Sequence, residues 1–285
     1  MAGRTRPARH RGAIGAAVTD AAVNGCAVRD FERLVTVMID LNSDLGEAFG
    51  AWSMGDDAAL LEIVTSANIA CGFHAGDPVV MRRTCELAVA RGVRIGAHIS
   101  YRDLAGFGRR AMSVPPRELL DECLYQIGAL DAFARAAGER VRYVKPHGAL
   151  YHAAAADPAV AEAVAAATAR YGGLDLLGLP GTELSHAAAA AGIAFHAEGF
   201  ADRAYAPAGT LVSREAPGSV LDEESALAQA VSIAVDGATR DVDGAPVAVP
   251  ARSLCVHGDS PGAVAMARAI RDTLADKGIE VTAFS

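Results

Sequence analysis

Four apolar runs in this chain each stop at a histidine. They are Ile69-Ala70-Cys71-Gly72-Phe73-His74, Val93-Arg94-Ile95-Gly96-Ala97-His98, Val141-Arg142-Tyr143-Val144-Lys145-Pro146-His147 and Leu254-Cys255-Val256-His257. Imidazole is the side chain that exchanges protons near neutral pH, and it is also the commonest metal ligand. If these runs are parallel strands closed into a barrel, their carboxyl ends share one mouth and the four imidazoles meet there. A fifth run, Asp40-Leu41-Asn42-Ser43-Asp44-Leu45-Gly46-Glu47, sets Asp40, Asn42 and Asp44 on one side of a strand by simple alternation. An acid, amide, acid row turned into a barrel is unfavourable unless it binds something. The spacing meets a calcium loop only in part and lacks its closing glutamate. We read it instead as a general acid/base site or a site for a polar substrate. His10, His152, His186 and His196 do not share the strand-end position and read as packed or hydrogen-bonded residues.

Cationic groups stand near the same strand ends. Gly106-Phe107-Gly108-Arg109-Arg110 reads as a flexible loop carrying two guanidinium groups suited to carboxylate or phosphate. Lys145, one of only two lysines in the chain, lies inside an apolar strand just before Pro146-His147, where a solvated surface role is hard to accommodate. Glu198-Gly199-Phe200-Ala201-Asp202-Arg203 adds a further acid and a further arginine at a rim position.

The elements that must position these groups are legible in outline. Short β-prone runs at 37–41, 67–71, 93–97, 141–145, 174–179, 193–197, 253–257 and 279–283 alternate with longer helical patterns, which predicts βα units around a parallel sheet. Proline follows an N-cap residue at Asp77-Pro78, Asp157-Pro158 and Ser260-Pro261, and glycines 92, 138, 192 and 278 stand where helices end. A helix over 78–91 would bury Val79, Met81 or Arg82, Cys85 and Val89. One over about 116–137 would bury Leu119, Leu120, Cys123, Ile127, Leu130 and Phe133. No G-x-G-x-x-G follows the first strand and no G-x-x-x-x-G-K-[ST] occurs. Seven or eight units without a phosphate loop suit a (β/α) barrel better than an open doubly wound sheet.

The chain has 285 residues, 52% of them apolar, enough for a barrel core. Its formal charge is −8, and residues 1–37 hold six arginines against three acids, so the body is more acidic still. That argues against a nucleic-acid partner, which needs a basic stripe. No apolar stretch is long enough to span a membrane. Five unevenly spaced cysteines without a C-x-x-C pair read as reduced fillers and suit a cytoplasmic setting. Residues 1–37 read as a disordered leader or an upstream extension, with Met38 as a plausible start and 38–285 as a single catalytic barrel domain.

Six segments read together carry a resemblance: DLNSDLGEAFGAWSMGDD (40–57), SANIACGFHAGDP (66–78), IGAHISYRDLAGFGRR (95–110), VKPHGALY (144–151), EGFADRAYAPAGTLVSR (198–214) and CVHGDSPGAV (255–264). The chain resembles the LamB/YcsF family, the A subunits of 5-oxoprolinases, over residues 38 to about 282. Ile99 stands where the family usually has proline, and Gly199 where it usually has an apolar residue; neither change removes an ionisable group. The resemblance implies a β/α barrel related to the glycoside hydrolase and deacetylase barrels. It also implies ATP-dependent hydrolysis of 5-oxo-L-proline to L-glutamate in a complex with two further subunits, B and C. ATP, with magnesium, would be the co-substrate, and no tightly bound organic cofactor is expected.

On this reading Asp44, His74, His98, His147 and His257 form the catalytic set, one member activating water and another protonating the departing ring nitrogen. Asp40, Asn42, Glu47, Asp77 and Asp259 would contact substrate, together with Arg109, Arg110, Lys145, Glu198 and Arg203. Two other functions remain open on the same residues: a metal-dependent amide hydrolase or deacetylase, and a noncatalytic binding subunit for an anionic small molecule.

Overall fold

The computed structural model describes residues 37–285 apart from Glu215 and 259–261. The expectation for 1–37 therefore lies, but for Val37, outside the described residues, as do Asp259 and the Ser260-Pro261 cap. The strands are β1 (Met38–Leu45), β2 (Ser66–Ala70), β3 (Arg94–Ile99), β4 (Val141–Pro146), β5 (Asp175–Gly178), β6 (Phe195–Phe200), β7 (Ala238–Arg240), β8 (Pro246–Ala248), β9 (Ser253–Cys255) and β10 (Glu280–Val281). The helices are α1 (Asp57–Leu60), α2 (Pro78–Ala90), α3 (Pro116–Ala136), α4 (Gly148–Ala156), α5 (Pro158–Tyr171), α6 (Glu183–Ala190), α7 (Glu223–Asp236) and α8 (Ala263–Asp276).

Strands β1 to β6 pair in order, all parallel, and β9 pairs with both β6 and β1, which closes a seven-stranded barrel. The eighth candidate strand does not join the ring. It is only Glu280–Val281 and pairs with the first residues of β1, Met38 and Ile39. A two-stranded antiparallel hairpin, β7 with β8, sits between α7 and β9 and was not foreseen, because three-residue strands carry almost no periodicity.

Helix ends follow the local chemistry. Asp77 accepts from the backbone N–H groups of Val79 and Val80 at 2.8 and 3.0 Å, with Pro78 opening α2, and Asp157 does the same for α5 through Ala159. The buried face of α2 is Met81, Thr84, Cys85 and Ala88, whereas Val79, expected inside, is exposed. Spacing of three and four from Met81 sets that face, and Val79 in the first turn points away from it. In α3 the buried residues include two polar ones, Gln126 and Asp131.

Two faces of the barrel wall have opposite character. Outward-facing Leu41, Ile69, Ile95, Val144, Leu176 and Leu254 are fully buried under the helices, each contributing about 1.5–3 kcal/mol by leaving water. The inward face is polar: Asp40, Asn42, Ser66, Asn68, His98, Lys145, Glu198 and Ser253 are all buried. Register places Asp44 beside Asn68, His98 beside Lys145 and Glu198 beside Ser253. Gly96 faces Tyr143, and a Cβ there would lie 2.2 Å from its ring, so only glycine lets the tyrosine cross the barrel interior.

Candidate active site

The floor of the site is a hydrogen-bonded network built from alternate strand positions. Asp40, at the base, accepts from Thr65 and Ser66 at 2.7 and 2.6 Å and from the Ser253 hydroxyl. Burial pushes its carboxyl up to about 6, against those three hydroxyl bonds. Above it, Asn42 donates to Ser253 (2.7 Å) and accepts from Asn68 (2.7 Å), while Tyr143 donates to Asn68 (2.7 Å). Buried polar groups of this density are tolerable only when each has a partner.

Lys145 stands at the centre. Its Nζ lies 2.7 Å from Glu198 Oε1 and 3.0 Å from Asp44 Oδ1, and it also donates to Asn42 Oδ1 at 3.2 Å and to Cys255 Sγ at 3.3 Å. Burial alone would discharge the ammonium, yet the flanking Asp44, Cys255 and Glu198 raise its pKa well above the ordinary lysine value. For Asp44, burial raises the pKa, but His98 and Lys145 overcome it and hold the carboxyl well below its ordinary value. Glu198 is completely buried and accepts a hydrogen bond from Tyr151 at 2.9 Å. Lys145 is thus occupied by two carboxylates rather than offered whole to a ligand. Cys255, expected as an apolar filler, is part of this polar centre, with its thiol pushed well above its usual value by burial.

The histidines divide into two groups. His74, His98 and His147 pack together: His74 stacks on His147 with centroids 3.9 Å apart, and His98 meets both edge-on. His98 Nδ1 is 3.1 Å from the Lys145 carbonyl oxygen, and its Nε2 is 3.0 Å from His147 Nδ1 and 3.3 Å from Asp44 Oδ2. His147 Nε2 is 2.8 Å from the Phe107 carbonyl oxygen. Glu47 Oε1 lies 3.3 Å from His74 Nε2 and 3.6 Å from His147 Nδ1. Burial lowers the pKa of both His74 and His147 well below the ordinary imidazole value, and neighbouring imidazoles add to the effect. His257 stands apart from these three. Its Nδ1 is 2.9 Å from both oxygens of Asp202, and its ring stacks on Phe200. Two sets of side chains offer ligand atoms close enough together for a metal ion: Glu47 with His74, His98 and His147, and Asp44 with Cys255 and His257.

Loop 106–109 is packed down onto its neighbours. A Cβ on Gly108 would lie 2.3 Å from Ser100 Oγ and 2.8 Å from His147 Cδ2, and one on Gly106 would lie 2.2 Å from Asp103 Oδ2. These glycines allow close approach, so the loop presses onto the histidine cluster. Beneath it, Gln126 of α3 clamps Ser100 just past β3, accepting from its N–H and donating to its carbonyl, both at 2.9 Å.

Over this floor opens a cavity of about 700 Å³ at the carboxyl ends of the strands, within the size range of small-ligand sites. Asp44, Glu47, His98, His147 and His257 line it, as do Lys145, Arg109, Arg203 and Arg214. His74 lies behind His147, and Asp40, Asn42 and Glu198 form the layer beneath. Among the described residues, five expected contacts do not line the cavity: Asp40, Asn42 and Glu198 are held in the layer beneath by the barrel-floor network, Asp77 caps α2 and accepts from Gly50 N–H at 2.7 Å, and Arg110 turns outward onto Asp103. Residues that sequence reasoning did not assign to the site include Asn68, Tyr151, Asp202 and Arg214, and His152, read as a packed residue, lines the cavity. Asn68 was readable in principle, since Ser66 and Asn68 repeat the period-two polar pattern of β1; Asp202 was not, since its partner lies 55 residues away.

The LamB/YcsF family profile matches residues 39–285, nearly all of the described chain. This chain belongs to the LamB/YcsF family. Curated LamB/YcsF relatives include the 5-oxoprolinase A subunit of Nocardia farcinica, 65% identical over 247 residues, covering 86% of this chain and 99% of that one. The corresponding 5-oxoprolinase A subunit of Streptomyces coelicolor is 58% identical over 250 residues, covering 87% and 100%. Among solved structures, the lactam utilization protein from Thermus thermophilus superposes with a TM-score of 0.83 at 44% identity, covering 87% of this chain and all of that one. The same closed parallel barrel therefore underlies a LamB/YcsF protein whose structure was solved by crystallography. Among the described residues no helix is long and apolar enough to cross a membrane.

Proposed function

We propose that this chain is the A subunit of a 5-oxoprolinase, opening 5-oxo-L-proline to L-glutamate with consumption of ATP in a complex with B and C subunits. The names carried by its relatives support the substrate and the subunit role. The observation that carries the chemistry is one cavity lined both by proton-exchanging groups and by arginines. A five-membered lactam is a poor electrophile, and transfer of a phosphoryl group to its oxygen opens the ring carbon to water. Collapse of the adduct then expels the ring nitrogen once it is protonated, and the resulting acyl phosphate is hydrolysed by a second water.

Arg109, Arg203 and Arg214 suit the substrate carboxylate and the transferred phosphate. Arg203 is itself steadied by the carbonyls of Ser219 and Val212, at 3.2 and 2.6 Å. Asp202 holds the hydrogen of His257 on Nδ1, which leaves Nε2 as the basic nitrogen and makes His257 the best-oriented proton carrier on its side of the cavity. Asp44, kept ionised, stabilises positive charge opposite it. The test is 5-oxoproline-dependent ATP hydrolysis and glutamate formation by the reconstituted complex, with and without this chain. Turnover should require the chain, and Asp44→Asn, His147→Ala and His257→Ala should each lower kcat by about 10²-fold or more. Wild-type turnover in all three, or turnover without the chain, would refute the proposal.

A further inference from the structure

The hydrogen positions on two of the clustered imidazoles follow from their partners. A carbonyl oxygen only accepts, so His98 carries its hydrogen on Nδ1, toward the Lys145 carbonyl, and His147 carries its own on Nε2, toward the Phe107 carbonyl. The nitrogens left bare, His98 Nε2 and His147 Nδ1, then face each other at 3.0 Å. Glu47 Oε1 stands 3.6 Å from His147 Nδ1, and Asp44 Oδ2 stands 3.3 Å from His98 Nε2. Two ring nitrogens that both lack a hydrogen cannot face each other at this distance unless a proton or a metal ion is shared between them, and the carboxylates of Glu47 and of Asp44, itself paired with Lys145, favour positive charge there. Behind them His74 Nδ1 is buried without a hydrogen-bond partner, and its Nε2 is 3.3 Å from the same Glu47 oxygen.

We propose that Glu47, His74, His98 and His147 form a binding site for a single divalent transition-metal ion. Successive donor pairs, His98 to His147, His147 to Glu47 and Glu47 to His74, are 3.0, 3.6 and 3.3 Å apart. A tetrahedron with metal bonds of 2.0–2.1 Å has edges of about 3.3 Å; all four donor atoms lie within 4.8 Å of one another, and the stacked rings of His74 and His147, 9° from parallel, must turn for both lone pairs to reach one ion. Three imidazoles and one carboxylate suit zinc, cobalt or manganese and do not suit calcium or magnesium, which take oxygen ligands. The surroundings are built as ligand supports usually are, since backbone carbonyls orient two of the rings. One of those carbonyls belongs to Phe107, the one non-glycine residue with positive φ (+53°) among the described residues. Strain held at that point is repaid if the carbonyl must reach His147. Asp44 borders both this site and the cavity, so a bound ion would sit where it could polarise a carbonyl or phosphoryl oxygen of a ligand.

The inference does not depend on which substrate the cavity accepts, and its test does not use turnover. The full-length chain is treated with a chelator, dialysed and titrated with Zn²⁺ and with Co²⁺. Binding is followed by calorimetry, by the visible absorption of Co²⁺ and by the melting temperature. One equivalent per chain is expected, with a melting temperature that rises with ion concentration and Co²⁺ bands of a four- or five-coordinate site. His98→Ala/His147→Ala should lose the site, and the milder Glu47→Gln should weaken it at least tenfold while keeping the wild-type circular dichroism. His257→Ala should keep full stoichiometry. Absence of binding to the wild-type chain overturns the proposal whether or not any variant folds. Loss of binding in His257→Ala with retention in Glu47→Gln would overturn it too, by placing the ion on Asp44, Cys255 and His257.

Discussion

Replacing Lys145 by methionine tests the central claim about the barrel floor. The ammonium is 2% exposed and lies 2.7 Å from Glu198 and 3.0 Å from Asp44, with Glu198 itself fully buried. Methionine preserves the volume, so little is lost in packing; what remains is two carboxylates in the barrel interior without their counter-charge. Removing one partner of a buried ion pair is destabilising by about 3–5 kcal/mol, because the orphaned charge cannot return to water. For a domain of this size that corresponds to a melting temperature lower by about 6–20 °C. Adding Glu198→Gln to Lys145→Met should recover part of the loss, since the amide oxygen still accepts from Tyr151 while one buried charge is gone. The effect also has a definite pH dependence. Asp44 has a folded-state pKa well below its ordinary value, so its contribution is present above the unfolded value near about 4 and fades as pH falls through the folded one. Lys145 is raised, so its contribution is complete below about 10.4 and fades as pH rises through the folded value. The gap between wild type and Lys145→Met should therefore be widest from about pH 5 to 9 and should narrow in acid. Thermal melts at pH 7 and at about pH 3, below the unfolded carboxylate value, measure it. A variant that melts within 2 °C of wild type at pH 7, or a double variant no more stable than the single one, would refute the reasoning.

Two further expectations follow from the geometry. Asp202→Asn leaves the shape of the site intact but no longer holds the hydrogen of His257 on Nδ1, so kcat of the reconstituted complex should fall by about 10²- to 10⁴-fold with KM little changed; an unaltered kcat would remove His257 from proton transfer. Gly96→Ala drives a methyl group to 2.2 Å from the Tyr143 ring, an overpacking expected to destabilise by about 1–3 kcal/mol or more. Combining it with Tyr143→Leu should relieve the clash, and a Gly96→Ala protein that melts with wild type would show that the ring does not cross the barrel as described.

Much of this arrangement could be read from local pattern. Alternation along Asp40-Leu41-Asn42-Ser43-Asp44 placed three polar groups on one face, and that face is the barrel interior. Apolar runs that end in histidine marked where strands reach the mouth, and Asp77-Pro78 and Asp157-Pro158 marked helix starts, because each signal needs only neighbours within a turn or a pleat. The reading of Gly106-Phe107-Gly108 as a flexible loop missed its close packing for a reason of the same kind. Glycine looks identical in sequence whether it supplies freedom or close approach, and only the nearness of Ser100 and His147 tells them apart.

By itself, then, the order of residues determined the βα alternation, the polar lining of the first strand and the set of histidines and arginines from which a site could be made. Tertiary structure alone decided the division of labour among them. Lys145 is neutralised by Asp44 and Glu198, which come from opposite parts of the chain; Asp202 claims His257; and Arg110 and Asp77 are drawn away to local partners. The physical reason is that ion pairs and tautomers are set by distances of about 3 Å. Barrel closure creates those distances between residues up to about two hundred positions apart, and no local periodicity records them.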